Sequence, residues 1–137
     1  MDYREAYAKA LKLLNVRFLS EGELRQKLGR YDVTAAVLDE VLQTLKEERF
    51  IDDDRLARAV YAYYAKKKQY GHLYIVNRLR KRKLPVPDDI ERVQEYEAVE
   101  AILAKKFPGP ERDYAKAAKY LQYRGFAVAV IREALEK

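Results

Sequence analysis

Apolar residues recur along this chain at intervals of three and four, the spacing that places side chains on one face of an α-helix. In the first fifteen residues that face carries Tyr7, Leu11 and Leu14. Ser20 and Glu23 then have the spacing of a capping box, in which each side chain accepts a hydrogen bond from the other residue's backbone N–H. The first third of the chain is therefore predicted to form three helices, over about residues 2–15, 20–29 and 33–49.

The same spacing continues through the rest of the chain, interrupted by short breaks rich in Gly and Pro. One helix is expected to bury Leu56, Val60 and Tyr64, and the next, which begins at Gly71, is expected to bury Ile75 and Leu79. Nothing breaks the helical pattern from residue 88 to residue 107, so this segment should form one long helix or two helices joined by a slight kink. The predicted helices cover about residues 52–69, 71–83, 88–107, 111–123 and 127–136, and the fold class is all-α.

A threefold repeat underlies these elements. Leu28, Leu79 and Leu121 can be superposed, and the residues four positions earlier are then all apolar. The residues eight positions earlier are all acceptable helix N-caps. Intervals of 51 and 42 residues between the superposed leucines suit a three-helix unit that occurs three times. We therefore predict a single domain, residues 1–137, that forms an elongated array of nine helices in three repeats, approximately residues 2–50, 51–95 and 96–137.

Positive charge is concentrated between Arg55 and Lys83, a stretch with ten Lys or Arg residues and no Asp or Glu. The whole chain has a formal net charge of +6, so the remainder sums to −4. Five of the twelve tyrosines lie in the same stretch. Basic residues interleaved with aromatic rings suit phosphate neutralisation combined with base stacking. The alternative is a solvated basic helix whose tyrosines face a core.

The repeat also places basic residues opposite the apolar stripe on the middle helix of each unit. If the units stack side by side, these residues form one continuous basic track, which we predict to bind nucleic acid or an acidic partner. Three consecutive lysines near the end of the fourth predicted helix add to the charge of this track. The predicted binding residues are Lys27, Arg30, Lys66, Lys67, Lys68, Arg78, Lys81, Arg82, Lys116, Lys119 and Arg124.

The composition argues against an enzyme. The chain has no cysteine and one histidine, His72, so it can form neither a thiolate metal site nor a His-rich one. Asp52, Asp53 and Asp54 would point in different directions on a helix, and helix capping explains them better than a Mg²⁺ site. We predict no catalytic residue, no metal site and no cofactor, and we expect His72 to be dispensable for binding.

The sequence also bears on compartment and assembly. No apolar run approaches the ~20 residues that span a bilayer, and the acidic N-terminus lacks a signal-peptide pattern. With no cysteine to form disulfides, we expect a cytoplasmic protein without a membrane partner. No dimerisation heptad is visible, so we expect a monomer.

Four segments, in this order, resemble motifs of the RecX family of regulatory proteins. Residues 17–28, RFLSEGELRQKL, are similar to the family signature R-x-x-S-x-x-E-L-x-x-x-L. Glycines that the family often has near residue 49 and at the end of the helix before Leu84 are absent from this chain. The other three matching segments are Ile51-Asp52-Asp53 with Leu56-Ala57, then Gly71 with Ile75, Leu79 and Leu84, and finally Arg124-Gly125-Phe126 with Ile131.

The resemblance implies a curved, all-helical protein of three tandem three-helix units that binds the RecA recombinase filament. It further implies suppression of filament growth, ATP hydrolysis and strand exchange. The charge of the basic track, apart from the resemblance, makes single-stranded and possibly double-stranded DNA its candidate ligands. Two alternatives stay open. One is a stand-alone, sequence-independent DNA-binding protein whose units resemble helix-turn-helix motifs. The other is a nuclease that uses Asp52 to Asp54, which would require carboxylates converging from separate elements.

Overall fold

The computed structural model describes residues 1–136, and that part of the chain contains eight α-helices and no β-strand. The all-α class predicted from the periodicity is confirmed. The helices are α1 (Tyr3–Val16), α2 (Glu21–Leu28), α3 (Ala35–Glu47), α4 (Asp53–Lys66), α5 (His72–Lys81), α6 (Glu95–Lys106), α7 (Tyr114–Tyr123) and α8 (Val128–Leu135).

The internal contacts divide the chain into two compact units. Unit 1 comprises Met1–Arg58 and Arg80–Pro87, and unit 2 comprises Ala59–Leu79 and the chain from Asp88 onward. The boundaries therefore fall within α4 and α5. The division into three sequence repeats stays a prediction. None of the helices in residues 1–136 combines the length and the apolar character that a bilayer span requires.

Unit 1 is built around a core that the helical spacing supplies. Helix α1 packs against α2 and α3, and α2 packs against α3. Ala6 and Ala10 of α1 are fully buried, as are Leu24 and Leu28 of α2. Each aliphatic side chain of leucine size that leaves water contributes about 2 kcal/mol. The remaining buried apolar residues of this core are Leu19, Leu38, Val41, Leu42, Leu45 and Ile51.

Hydrogen-bonded caps fix the helix starts in unit 1. Ser20 Oγ accepts from the Glu23 N–H at 3.0 Å, and Glu23 Oε1 accepts from the Ser20 N–H at 2.9 Å, so the predicted capping box is confirmed. A second capping box, formed by Asp2 and Glu5, begins α1 and was not predicted. Asp52 accepts from the Arg55 N–H at 3.1 Å and caps α4, as predicted.

Unit 2 has its own core, in which α6 and α7 both pack against α8. One carboxylate also ties two of its helix starts together. Glu95 Oε2 accepts from the His72 N–H at 2.7 Å, and Glu95 Oε1 accepts from the Ala127 N–H at 3.0 Å. These N–H groups belong to the first residue of α5 and the N-cap of α8, so the carboxylate faces the positive ends of two helix dipoles. The buried core residues are Ala98, Val99, Leu103, Ala117, Leu121, Phe126, Ile131 and Ala134.

The helix predicted over residues 88–107 is wrong in its first part. Residues 88–94 form a turn and an irregular segment, and α6 begins at Glu95. The Val93 N–H donates to the Tyr61 hydroxyl at 3.1 Å, so a side chain takes the place of a helical carbonyl. Residues 1–136 consequently form eight helices rather than nine. Helix α7 also begins later than predicted, at Tyr114, with Asp113 as its N-cap.

The buried face of α4 differs from the predicted one by one position. Ala57 and Tyr61 are fully buried, whereas Leu56, Val60 and Tyr64 are only partly buried. One position along a helix is a rotation of about 100°. The Tyr61 hydroxyl contacts His72 Nδ1 and accepts from the Val93 N–H inside unit 2, so the polar group of this buried tyrosine is satisfied.

Candidate functional site

Unit 1 carries four of the predicted binding residues, and three of them are exposed. Lys27 lies in the last turn of α2, Arg30 follows that helix, and Lys81 ends α5. None of the three forms an ion pair with a carboxylate within residues 1–136. Their charges are therefore available to an external anion.

Arg82, the fourth, does not lie on an exposed face of α5, contrary to the prediction from the helical spacing. It follows the end of the helix, and its side chain is only 24% exposed. The guanidinium donates to both carboxylate oxygens of Glu23, at 3.1 and 3.3 Å, and to the Phe18 carbonyl oxygen at 2.8 Å. In return, the Ser20 hydroxyl donates to the Arg82 carbonyl oxygen at 2.6 Å. Arg82 thus holds unit 1 together, while its role in binding stays a prediction.

The R-x-x-S-x-x-E motif forms one polar network around this arginine. Arg17 Nη2 lies 3.2 Å from Glu23 Oε2. Partial burial raises the pKa of the Glu23 carboxyl, but hydrogen bonds from Arg82 and the Ser20 N–H, with the charges of Arg82 and Arg17, outweigh it. The pKa of Glu23 consequently lies below its usual value. The motif is a structural device that fixes the start of α2.

Arg82→Ala is expected to lower the free energy of unfolding by about 2 kcal/mol, because it removes the donors that face the partly buried Glu23 carboxylate. Lys81→Ala is the matched control. Its side chain is exposed and unpaired, so the change should stay within about 0.5 kcal/mol. Urea denaturation followed by circular dichroism measures both variants, and equal stabilities would contradict the structural role of Arg82.

In unit 2, two glycines bring the start of α5 against the turn that follows α7. The Gly71 N–H donates to the Arg124 carbonyl oxygen at 2.8 Å. A Cβ on Gly71 would lie 2.3 Å from the Gly125 oxygen, and a Cβ on Gly125 would lie 2.3 Å from the Tyr74 nitrogen. Gly125 also has a φ of +84°, which favours glycine. The close backbone approach lets the neighbouring side chains Tyr70, Tyr74 and Arg124 meet.

These three side chains belong to a larger group that we call the arginine–tyrosine cluster. It consists of Tyr64, Tyr70, Tyr74, Arg78, Tyr120 and Arg124. The Tyr70 and Tyr74 rings are stacked, with centroids 4.2 Å apart. The Arg124 guanidinium carbon lies 5.1 Å from the centroid of Tyr70 and 5.0 Å from that of Tyr120. The Arg78 guanidinium carbon lies 5.2 Å from the centroid of Tyr74, and its Nη2 donates to the Tyr74 hydroxyl at 2.8 Å. Such contacts hold a guanidinium in place while leaving N–H donors for an anion.

The cluster is positively charged, and within residues 1–136 no carboxylate forms an ion pair with either arginine. The structure thus brings together Arg78 and Arg124, two predicted binding residues from separate helical segments. Lys106 extends the cluster, since its Nζ lies 4.1 Å from the Tyr120 centroid. Lys106 is not among the predicted binding residues, because the repeat predicts basic residues on the middle helix of each unit and this lysine lies on α6.

The remaining predicted residues of unit 2 are exposed lysines. Helix α4 ends at Lys66, and Lys67 and Lys68 follow it. Lys67 Nζ lies 4.5 Å from the Tyr63 centroid. Lys116 and Lys119 are exposed on α7, the helix that carries Tyr120. Their long, flexible side chains suit neutralisation of phosphates at varied positions.

Each of the three adjacent aspartates in unit 1 has its own partner. Asp52 caps α4, and Asp53 Oδ1 accepts from the Glu21 N–H at 2.9 Å. Asp54 Oδ2 accepts from Arg58 Nε at 2.9 Å. Burial raises the pKa of Asp53, and the hydrogen bond from the Glu21 N–H partly offsets this rise. The carboxylates engage separate protein groups, and the described residues contain no cluster of three or more acidic or histidine ligands.

His72, for which the sequence suggests no partner, has one in unit 2. Its Nδ1 lies 2.8 Å from the Tyr61 hydroxyl. That hydroxyl accepts from the Val93 N–H, and its own proton can be donated to the neutral imidazole. Burial lowers the pKa of His72, and the charge of Arg92 lowers it further, against the opposing effect of Glu95. His72 therefore belongs to the interior polar contacts of unit 2, and its dispensability for binding stays a prediction.

The stability of the protein should decrease as the pH falls below about 6.5, the ordinary pKa of histidine. Because the folded pKa of His72 lies below its ordinary value of 6.5, the unfolded chain takes up the proton first. The stabilisation is present above pH 6.5 and is lost as the pH falls through the folded pKa. Thermal denaturation at several pH values measures the effect, and His72→Asn should flatten the profile in this window. If the dependence of the melting temperature on pH were the same in the variant, groups other than His72 would be responsible for it.

The chain is similar to known regulatory proteins along nearly its whole length. Residues 6–45 match the family model described as RecX, first three-helix domain. A protein named Regulatory protein RecX from Vibrio cholerae serotype O1 is 34% identical over 144 aligned positions, which cover 98% of this chain and 94% of the relative. A protein of the same name from Herbaspirillum seropedicae is 30% identical, with 94% of this chain and 88% of the relative covered.

A solved structure shares the fold. The crystal structure of RecX from Lactobacillus salivarius superposes with a TM-score of 0.81 at 18% identity, and covers 98% of this chain and 95% of that one. At this identity the likeness shows the fold alone, whereas the full-length sequence matches show common descent. The chain therefore belongs to the RecX family of regulatory proteins.

Proposed function

We propose that this chain is a non-enzymatic regulator that binds the RecA recombinase nucleoprotein filament and suppresses filament extension, ATP hydrolysis and strand exchange. The observation that carries this proposal is the similarity, over 98% of the chain, to a protein named Regulatory protein RecX. We further propose that it acts in the cytoplasm as a monomer and without a cofactor.

The basic residues are proposed to face the DNA of the filament. The arginine–tyrosine cluster supports this role, because it holds two unpaired guanidinium groups beside stacked aromatic rings. Guanidinium groups bind phosphates with paired N–H donors, and tyrosine rings provide surfaces on which exposed bases stack. The exposed lysines of unit 2, together with Lys27, Arg30 and Lys81 of unit 1, would add contacts to phosphates that carry no sequence information.

Co-sedimentation tests the proposal against a plain DNA-binding protein. RecA filaments are assembled on single-stranded DNA with a slowly hydrolysed ATP analogue, and bare DNA and RecA without DNA serve as parallel samples. The salt concentration is raised until the chain no longer sediments with bare DNA, since binding through phosphates weakens steeply with salt. The chain should still sediment with the filament. Release from the filament at the same salt concentration as from bare DNA would favour a stand-alone DNA-binding protein.

A further inference from the structure

A groove in unit 1 is formed by residues that precede those of the arginine–tyrosine cluster in the sequence, and its lining is more apolar. It has a volume of about 780 Å³ and is lined by the C-terminal half of α1, the residues just after it, and the turn between α3 and α4. This volume is in the range of sites that hold small ligands or several side chains of a peptide. None of its lining residues belongs to the predicted basic track.

The groove is apolar at its floor and at its rim. Leu11 and Leu14 are partly buried and pack against the core of unit 1, so they form the floor. Three large apolar side chains stand exposed around them: Val16 is 82% exposed, Phe18 is 76% exposed and Phe50 is 48% exposed. Neighbouring exposed apolar side chains of this size are typical of a surface that another molecule covers.

The groove is also positively charged. Lys12, Arg17 and Arg49 are among its lining residues, and no acidic residue is. Arg17 is engaged by Glu23 through one nitrogen at 3.2 Å. Arg49 reaches Asp52 only at 3.9 Å, and its side chain is 83% exposed. Lys12 is exposed and no carboxylate forms an ion pair with it within residues 1–136. Lys12 and Arg49 therefore keep most of their charge available at the rim.

Arg49 is held in an unfavourable backbone conformation. Its φ is +65°, in the left-handed region, which glycine adopts without strain and other residues adopt at a cost of about 1 kcal/mol. The left-handed turn lets the Phe50 N–H donate to the Leu45 carbonyl oxygen at 2.9 Å, which closes the end of α3 and turns Phe50 toward the groove. The fold needs the turn but does not need the arginine side chain.

From the apolar floor, the exposed rim and the unbalanced positive charge, we infer that this groove binds an acidic, apolar peptide segment of a partner protein. The apolar side chains of the segment would cover Val16, Phe18 and Phe50, and its carboxylates would meet Lys12 and Arg49. Charge complementarity selects this occupant. A second copy of the chain would bring the same basic rim against itself, and nucleic acid would leave the apolar side chains uncovered. The inference does not depend on the role proposed for the arginine–tyrosine cluster.

Selection from a random peptide display library on the full chain tests this inference without prior choice of a ligand. The enriched peptides should combine Asp or Glu with large apolar residues. A fluorescent copy of the most enriched peptide then serves as the probe for affinity by anisotropy. Phe18→Ser should weaken its binding about tenfold, which corresponds to about 1.4 kcal/mol. Tyr123→Ser, which alters an aromatic residue of unit 2 that is 86% exposed, should leave the affinity unchanged.

Arg49→Gly separates binding from folding. It should weaken the binding of the peptide several-fold. The melting temperature should stay equal to or above that of the wild type, because the backbone strain at this position is relieved. Lys83→Gly is the matched control, since Lys83 also has a left-handed φ, of +57°, and does not line the groove. It should change stability in the same direction and leave peptide affinity unaltered.

Three results would overturn the inference. They are a selection without enrichment of acidic, apolar peptides, retention of full affinity by Phe18→Ser and Arg49→Gly, and self-association of the chain that Phe18→Ser abolishes in sedimentation velocity runs. The last result would assign the groove to a second copy.

Discussion

Replacing Gly125 with alanine should destabilise unit 2 by about 4 kcal/mol or more, which approaches the whole stability of many domains of this size. Two effects add. The φ of +84° is unfavourable for any residue with a Cβ, and that Cβ would lie 2.3 Å from the Tyr74 nitrogen. Backbone atoms cannot move aside as a flexible side chain can. Urea denaturation followed by circular dichroism should show the loss.

Two further glycine variants separate these effects. Gly109 has a φ of +87° and nothing within 4 Å of its ideal Cβ, so Gly109→Ala should lose only the conformational term of about 1 kcal/mol. Gly71 has no such φ, yet a Cβ at this position would lie 2.3 Å from the Gly125 oxygen. The loss of stability in Gly71→Ala therefore measures the cost of steric overlap alone. If Gly125→Ala were no worse than Gly109→Ala, the close backbone approach would not be essential to the fold.

The second large effect concerns the arginine–tyrosine cluster. Combining Arg78→Ala with Arg124→Ala should weaken the binding of single-stranded DNA tenfold or more, because each hydrogen bond to a charged group such as a phosphate contributes about 1.5–3 kcal/mol. The slope of log affinity against log salt concentration should also become shallower by about 1.4 units, since two phosphate contacts are lost and each contributes about 0.7 on a single strand. Anisotropy of a labelled oligonucleotide across a salt series measures both quantities.

Matched variants identify the source of that loss. Arg4→Ala with Arg132→Ala removes the same charge at two exposed positions outside the cluster and should leave the affinity nearly unchanged. Arg78→Lys with Arg124→Lys keeps the charge but loses the planar guanidinium, so the salt slope should be retained while affinity falls. Equal losses in the control pair and the cluster pair would show that net charge alone governs binding.

The sequence predicts the local features of this fold well, because they depend on residues a few positions apart. The superposed leucines Leu28, Leu79 and Leu121 are all fully buried. The Ser20 capping box and the Asp52 cap form as expected, because capping partners lie three residues apart. Periodicity and capping are short-range properties, and each of the eight helices overlaps a segment that they predict.

The errors arise where a distant partner decides the outcome. The segment before Glu95 departs from helix where the Val93 N–H finds the Tyr61 hydroxyl, 32 residues earlier. Arg82 leaves the exposed face because it meets Glu23, 59 residues earlier. Neither pairing has a signature in the local pattern of residues, so neither could be predicted from it.

The candidate site was predictable in charge but not in arrangement. The exposed lysines follow from composition and helical phase, and they are exposed as expected. The stacking of Arg124 on Tyr70 requires the turn after α7 to meet the start of α5, and only the glycine pair at positions 71 and 125 makes that possible. A glycine at each of these positions was visible in the motifs, but their mutual contact was not.

ATP hydrolysis by RecA on single-stranded DNA, titrated with this chain, tests the proposed regulatory function most directly. The concentration that halves the rate is compared with the concentration that coats the same DNA without RecA, measured under identical salt conditions. We predict inhibition well below coating, and a shift of about tenfold to higher concentration when Arg78 and Arg124 are both replaced by alanine. Inhibition that begins only when the bare DNA is coated would contradict the proposed regulatory function. The chain would then be interpreted as a plain DNA-binding protein.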